Sequence, residues 1–174
     1  MPACPAFLSD RARQPSVPRG RTVILGIGNT LLGDEGAGIH VINRLQSEGG
    51  WDDSIDFVDG GTLSFVLAGI IEEANSLVVV DAAQLGAPAG SLEVFENEQM
   101  DAFLGSDRQR SVHEVGLHDL MAIAHLAGRL PAPRALIAIQ PARIDWSDLP
   151  SEPVARAIPR ACEAARELIA RWQA

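Results

Sequence analysis

Three side chains that can bind a metal ion or move a proton stand at the boundaries of predicted strands and helices: Glu35, Asp81 and His113. Two carboxylates and an imidazole are ligands that a borderline divalent metal such as nickel or zinc accepts. A metal that keeps open coordination positions can polarise a carbonyl or activate a water molecule. The three residue types together therefore predict a metal site with open coordination positions.

Each of the three residues also has a purely structural interpretation. Asp81 lies near the end of an apolar run, where neighbouring backbone amides can hold a carboxylate without any metal. Glu35 stands at the start of a predicted helix, where the helix dipole favours it by ~0.3 to 1 kcal/mol without any function. His113 by itself indicates little. The functional interpretation depends on the three residues converging.

The elements that must position these residues follow from the spacing of apolar side chains. Continuous apolar runs predict central parallel strands, and apolar residues three or four apart predict helices. The alternating polarity of residues 91–95 predicts an edge strand, and Thr62 is a candidate N-cap. The predicted strands are 22–28, 55–59, 76–82, 91–95 and 135–140, and the predicted helices are 36–47, 63–74, 115–128 and 152–172. This order predicts a three-layer doubly wound α/β fold, with a mostly parallel twisted sheet of about five strands and helices on both faces.

Such a fold predicts where its ligand binds. In open α/β sheets, ligands lie outside the carboxyl ends of the strands, where the strand order reverses. Asp34 and Glu35 follow the first predicted strand, Asp59 ends the second, Asp81 lies near the end of the third, and His113 precedes a helix. We therefore expect all five residues on one edge of the sheet.

Composition excludes several classes of function. The net charge of −9 disfavours a nucleic-acid partner, because phosphate binding needs clustered cations. All 14 Lys and Arg residues are Arg, and without Lys there is no Schiff-base chemistry and no phosphate-binding loop of nucleotide hydrolases. Cys4 and Cys162 show neither metal-ligand spacing nor a disulfide framework, which suits a reducing cytoplasm. No apolar run approaches the ~20 residues of a spanning helix.

Two local similarities to known motifs fail on spacing. The segment 113–118, HEVGLH, has its histidines five residues apart, whereas the zinc-protease motif needs four. The segment 26–33, GIGNTLLG, has its third Gly too late for a dinucleotide-binding fingerprint. His118 and His125 share a helical face beside an apolar stripe, which favours a role at the core boundary over metal binding.

Five sequence blocks resemble those of the nickel-iron hydrogenase maturation endopeptidases. The first is ILGIGNTLLGDEGAGIHVI at 24–42. The others are VDGGT at 58–62, VVVDAAQLGAPAGSL at 78–92, SVHEVGLHDLMAIA at 111–124 and AIQPARI at 138–144. Their order and spacing are similar to the family's from about residue 22 onward. The resemblance implies one α/β protease domain at 21–174. Residues 1–20 mix Pro, Arg and Ser without the apolar core of a secretory signal, which predicts a disordered extension and fits a misassigned start codon equally well.

The resemblance also implies a reaction. Members of this family remove a C-terminal extension from the hydrogenase large-subunit precursor after nickel insertion, and the nickel arrives with the substrate. The family's metal-contacting residues fall on Glu35, Asp81 and His113, which would act both as metal ligands and in catalysis. We accordingly expect a cytoplasmic monomer that uses substrate-borne nickel and neither binds nucleic acid nor inserts into a membrane.

The substrate-recognition segment of the family falls on Asp59, Gly60, Gly61 and Thr62. One departure from the family is Ala138, where many relatives have Gly, and it is expected to lie away from the site. Residues 96–112 are expected to form a specificity loop, although its charged DRQR cluster also suits a solvated face.

Three alternatives stay open on the sequence. A two-aspartate protease would use Asp59 and Asp81 with a shared proton. A nickel-binding assembly chaperone would bind the precursor without shortening it. A nucleotide-binding module would be stabilised by a dinucleotide and would not depend on Glu35.

Overall fold

The computed structural model describes residues 20–63, 65–106 and 112–174, with side chains described throughout except at 112–115. The predicted extension at 1–20 lies outside these ranges apart from Gly20, and so does the DRQR cluster at 107–110. The strands are β1 (Thr22–Gly26), β2 (Ile55–Asp59), β3 (Ser76–Ala82), β4 (Leu92–Glu96) and β5 (Arg134–Ile139). The helices are α1 (Ala37–Glu48), α2 (Val66–Glu73), α3 (Glu98–Leu104), α4 (Val112–Leu126) and α5 (Glu152–Gln173).

The five strands form one sheet in the order β2-β1-β3-β5-β4. β1, β2, β3 and β5 are parallel, and β4 pairs antiparallel with β5 at one edge. β1 lies between β2 and β3. The chain passes from β1 to β2 on one side of it and then crosses to β3 on the other side. The strand order therefore reverses between β1 and β3, at the place where a doubly wound sheet binds its ligand.

Alternate side chains of the sheet support two separate apolar layers. Residues of one parity, including Val78 and Val80 of β3, pack with α1 and α5. Residues of the other parity, including Leu77 and Val79, pack with α2, α3 and α4. Because successive side chains of a strand point to opposite faces, a residue's parity tells which helices it meets. The predicted three-layer fold is confirmed.

Several predicted boundaries need correction. α3 occupies part of the predicted loop 96–112, and its spacing of Met100, Phe103 and Leu104 before Gly105 was a helical signal. α2 begins at Val66 with Phe65 at the N-cap position, so Thr62 is not its cap. α4 begins at Val112 rather than near 115, which places His113 within its first turn and not before it.

Within the described ranges, no helix is both long enough and apolar enough to cross a membrane.

Candidate active site

Asp81 is a buried carboxylate at the carboxyl end of the central strand β3. The residue is 1% exposed, and its Oδ1 accepts a hydrogen bond of 2.8 Å from the N–H of Ala82. It shares the parity of Leu77 and Val79, so its side chain points to the face covered by α4. Burial predicted from the apolar run is confirmed, and one neighbouring amide does contact the carboxylate, as the structural interpretation requires.

Glu35 is held over the ends of β1 and β3 by two close approaches of backbone. It lies in a 3₁₀ turn, Gly33–Gly36, that leads into α1. A β-carbon at Gly38 would lie 2.2 Å from Val80 O, and one at Gly28 would lie 1.9 Å from Glu35 O. No side chain fits at either position. The start of α1 therefore rests directly on the carboxyl end of β3, at the same edge of the sheet as Asp81. The Oε2 atom of Glu35 is buried.

Position 113 belongs to the same edge, although its side chain lies outside the described part of the structure. It is in the first turn of α4, one turn before Leu117, which is 1% exposed in the apolar layer on the Asp81 face. Gly116 packs against Leu63, with 3.1 Å between a β-carbon at 116 and Leu63 Cδ1. This contact joins the start of α4 to the loop that follows β2.

Among the described side chains, no cluster of three or more His, Cys, Asp or Glu groups could hold a metal ion. The imidazole of His113 falls outside that search. The predicted ligand set of Glu35, Asp81 and His113 therefore stays a prediction, with its two carboxylates at one edge of the sheet.

The predicted recognition segment lies along the loop after β1. The N–H of Gly60 donates to Gly26 O, and the N–H of Gly28 donates to Gly61 O, each at 2.8 Å. Asp59 closes a tight turn by accepting the N–H of Gly61 at 2.8 Å. Asp59 and Thr62 are exposed. The segment is thus fixed beside the candidate site, and its role in substrate binding stays a prediction.

The two-aspartate alternative is incompatible with the sheet. β1 lies between β2 and β3, so Asp59 and Asp81 stand two strands apart, about 9.5 Å. Gly26 is level with Asp59 on one side and with Val80 on the other. Asp59 therefore has the parity of Val80, and the two carboxylates point to opposite faces. A shared proton needs carboxylates about 3 Å apart.

Asp34 connects the loop after β1 to the loop after β5. It is fully buried, and its carboxylate accepts hydrogen bonds from the N–H groups of Ala142 (2.8 Å), Arg143 (3.1 Å) and Ser151 (2.6 Å). The Ser151 hydroxyl donates a fourth, at 2.8 Å. Burial by itself would raise the pKa of Asp34, but these donors outweigh burial, and the pKa is lowered. Asp34 thus holds the two loops together at this edge of the sheet and is not available as a catalytic acid.

Replacing Asp34 by Asn should therefore lower the free energy of unfolding by about 2 to 4 kcal/mol, because an amide nitrogen would face buried N–H donors. The folded-state pKa lies below the ordinary value of 3.8, so the carboxylate stabilises the fold above about pH 4. This contribution is lost as the pH falls through the lowered folded-state pKa. Urea denaturation of both proteins at several pH values measures the difference.

Asp148→Asn is the matched control, because Asp148 is an exposed acid in the loop after β5, which Asp34 anchors. It should change the free energy of unfolding by less than about 0.5 kcal/mol. Equal effects of the two substitutions, or a difference that persists undiminished at pH 3, would contradict the anchoring role of Asp34.

Gln140 and Ala138 were not predicted to shape the site, yet both lie at its edge. Gln140 is 7% exposed, accepts the N–H of Leu85 at 2.7 Å and donates to Gln84 Oε1 at 3.0 Å. It thereby holds the loop after β3. Ala138 is the cross-strand partner of Asp81, which corrects the expectation that this position lies away from the site. Only the strand register reveals that contact.

Other reactive side chains are unsuited to catalysis here or lie elsewhere. Burial raises the pKa of the Cys162 thiol to about 11, and a thiol must ionise to act as a nucleophile. Burial lowers the pKa of His40 on α1, so its imidazole is neutral near pH 7. His118 is half-buried and His125 is exposed in the last turn of α4.

Comparisons with known proteins agree with the resemblance of the sequence blocks. The family model described as hydrogenase maturation protease matches residues 39–168. The hydrogenase expression/formation protein HupD of Rhizobium leguminosarum bv. viciae is 31% identical over 156 residues, covering 89% of this chain and 77% of that protein. The hydrogenase 2 maturation protease of Escherichia coli is 28% identical over 127 residues, covering 72% of this chain and 76% of that protein.

Two solved structures share the fold. The hydrogenase maturating endopeptidase HybD from E. coli superposes with a TM-score of 0.81 at 24% identity, covering 87% of this chain and 93% of that one. The [NiFe] hydrogenase maturation protease HybD from Thermococcus kodakarensis gives a TM-score of 0.70 at 28% identity, covering 85% and 98%. With the family model matched over residues 39–168, the chain belongs to the hydrogenase maturation proteases and is a peptidase.

Proposed function

We propose that this peptidase removes the C-terminal extension of a nickel-iron hydrogenase large-subunit precursor after nickel has been inserted. Glu35, Asp81 and His113 recognise the substrate-borne nickel and bring the scissile bond to the edge of the sheet. The family supports the precursor as substrate. The carboxylates and the imidazole at the carboxyl edge of the sheet support the use of nickel.

The observation that carries this proposal is the burial of Asp81 at the strand-order reversal, at the same edge of the sheet as the turn that holds Glu35. A carboxylate taken out of water needs a cation or hydrogen-bond donors to offset its lost hydration. The N–H of Ala82 is one such donor. A nickel ion brought to this edge by the substrate would add a cation beside the buried carboxylate.

The donor set suits nickel because imidazole and carboxylate together bind borderline divalent metals. His113 enters the set because α4 starts on the face toward which Asp81 points. Nickel bound in the precursor would polarise the scissile carbonyl or lower the pKa of a coordinated water. The enzyme's own part is to orient the substrate, exclude bulk water and provide a carboxylate as general base, either Glu35 or Asp81.

The test is a mass measurement on the large-subunit precursor before and after incubation with the protein. We expect one cut that shortens the precursor at its C-terminus. A precursor that is bound but keeps its mass would instead indicate the assembly chaperone. An unchanged mass together with thermal stabilisation of the protein by a dinucleotide would indicate the nucleotide-binding module.

A further inference from the structure

Four large apolar side chains are exposed beside the candidate site. Seven such residues are exposed in the described ranges, and four of them fall in the loops after β1 and β5. We call these four the apolar rim patch: Leu31 (56% exposed), Ile144 (50%), Trp146 (83%) and Leu149 (68%). A cluster of exposed apolar side chains on a folded protein marks an interaction site, whereas single exposed ones do not.

The two loops are hydrogen-bonded to each other. Leu32 and Ser147 form a parallel bridge, in which Ser147 N–H donates to Leu31 O at 3.0 Å and Gly33 N–H donates to Ser147 O at 2.8 Å. In that register Trp146 stands beside Leu31. The four side chains are thus presented from one hydrogen-bonded unit and not from independent loops.

The same unit is fixed to the candidate site. Asp34 follows the Leu32 bridge by two residues, and its buried carboxylate binds both ends of the loop after β5, at Ala142 and at Ser151. Glu35 is the next residue of that turn. A partner seated on the apolar rim patch is therefore held at a defined position relative to Glu35.

We propose that the apolar rim patch is the docking surface for an apolar face of the large-subunit precursor, with Trp146 as its central contact. This inference rests on the proposed function. The substrate is the partner that must reach Glu35, and the patch is hydrogen-bonded to the turn that contains that residue. A second copy of this chain fits less well, because each copy carries a net charge of −9 and the two would repel each other.

The experiment compares Trp146→Ala with Leu126→Ala. Leu126 is the last residue of α4, at the end of the helix opposite to position 113, and its side chain is 86% exposed. It serves as the apolar control. Trp146→Ala should raise the KM for precursor cleavage at least about tenfold and leave kcat within about twofold, because Trp residues dominate binding at interfaces. The Kd for the precursor, measured by surface plasmon resonance, should rise by a similar factor. Leu126→Ala should change neither quantity.

The outcomes separate this inference from the proposed function. If the protein cleaves the precursor and Trp146→Ala retains the original KM and Kd, docking at the patch is wrong. If Trp146→Ala lowers kcat alone, the patch is not a docking surface. If the protein binds the precursor through Trp146 but does not cleave it, the docking inference holds and the proposed function fails. Concentration-dependent dimers that Trp146→Ala dissolves would assign the patch to a second copy and overturn the inference.

Discussion

His113→Ala should reduce cleavage of nickel-loaded precursor by at least about 10²-fold, because the proposed site loses its only imidazole and with it a contact to the substrate's nickel. The fold should persist, since Ala is the best helix former and position 113 lies in the first turn of α4. Mass spectrometry of the precursor over time measures the rate. Circular dichroism and thermal unfolding report the fold.

His125→Ala is the matched control for this variant. His125 is an exposed imidazole on the same helix, 12 residues further on and so about 18 Å away. Its loss should leave the rate within about twofold. Full cleavage by His113→Ala would remove His113 from the site, and equal losses in both variants would point to a general effect on α4.

Precursor without nickel should resist the intact enzyme, with cleavage slower by at least about 10²-fold than for nickel-loaded precursor. The physical reason is that Glu35, Asp81 and His113 would have no metal to engage. The carbonyl of the scissile bond would then lack electrostatic activation. Parallel time courses on the two precursor forms, followed by mass, measure the ratio.

Restoring nickel to the same nickel-free sample should restore cleavage, which separates the effect of the metal from damage to the precursor. Zinc added in its place tests whether the site selects nickel. Equal cleavage rates for nickel-free and nickel-loaded precursor would rule out recognition through the metal, and the roles of Glu35 and Asp81 would then need another explanation.

Much of the fold was predictable because it depends on local apolar periodicity. The runs at 55–59 and 76–82 match β2 and β3 residue for residue. β3 is buried at every position, and the apolar run that such a strand requires is a strong signal. β2 is a partly exposed edge strand, so its bounds followed instead from the Gly60-Gly61 pair after it. α3 was missed although Met100, Phe103 and Leu104 have helical spacing, because its seven residues give only about two turns of that pattern. It is also held by long-range contacts: Arg134 Nε of β5 donates to Asp101 at 3.1 Å, and Met100 and Leu104 are buried in the core.

The placement of the candidate carboxylates was predictable for a related reason. Parallel strands bring their carboxyl ends to one edge, so Glu35, Asp59 and Asp81 had to share it. Which of them can act together depends on strand order and register. Those features separated Asp59 from Asp81 and placed Ala138 beside Asp81.

The sequence by itself determined the α/β class, the burial of Asp81 and the edge of the sheet at which Glu35 and Asp81 lie, because short-range periodicity and strand ends encode these features. Only the tertiary structure decided that Asp34 is an anchor, since its donor Ser151 lies 117 residues away. The same long-range contacts bring Leu31 beside Trp146 and tie exposed apolar side chains to the turn that contains Glu35. No local pattern in the chain specifies which distant loops meet.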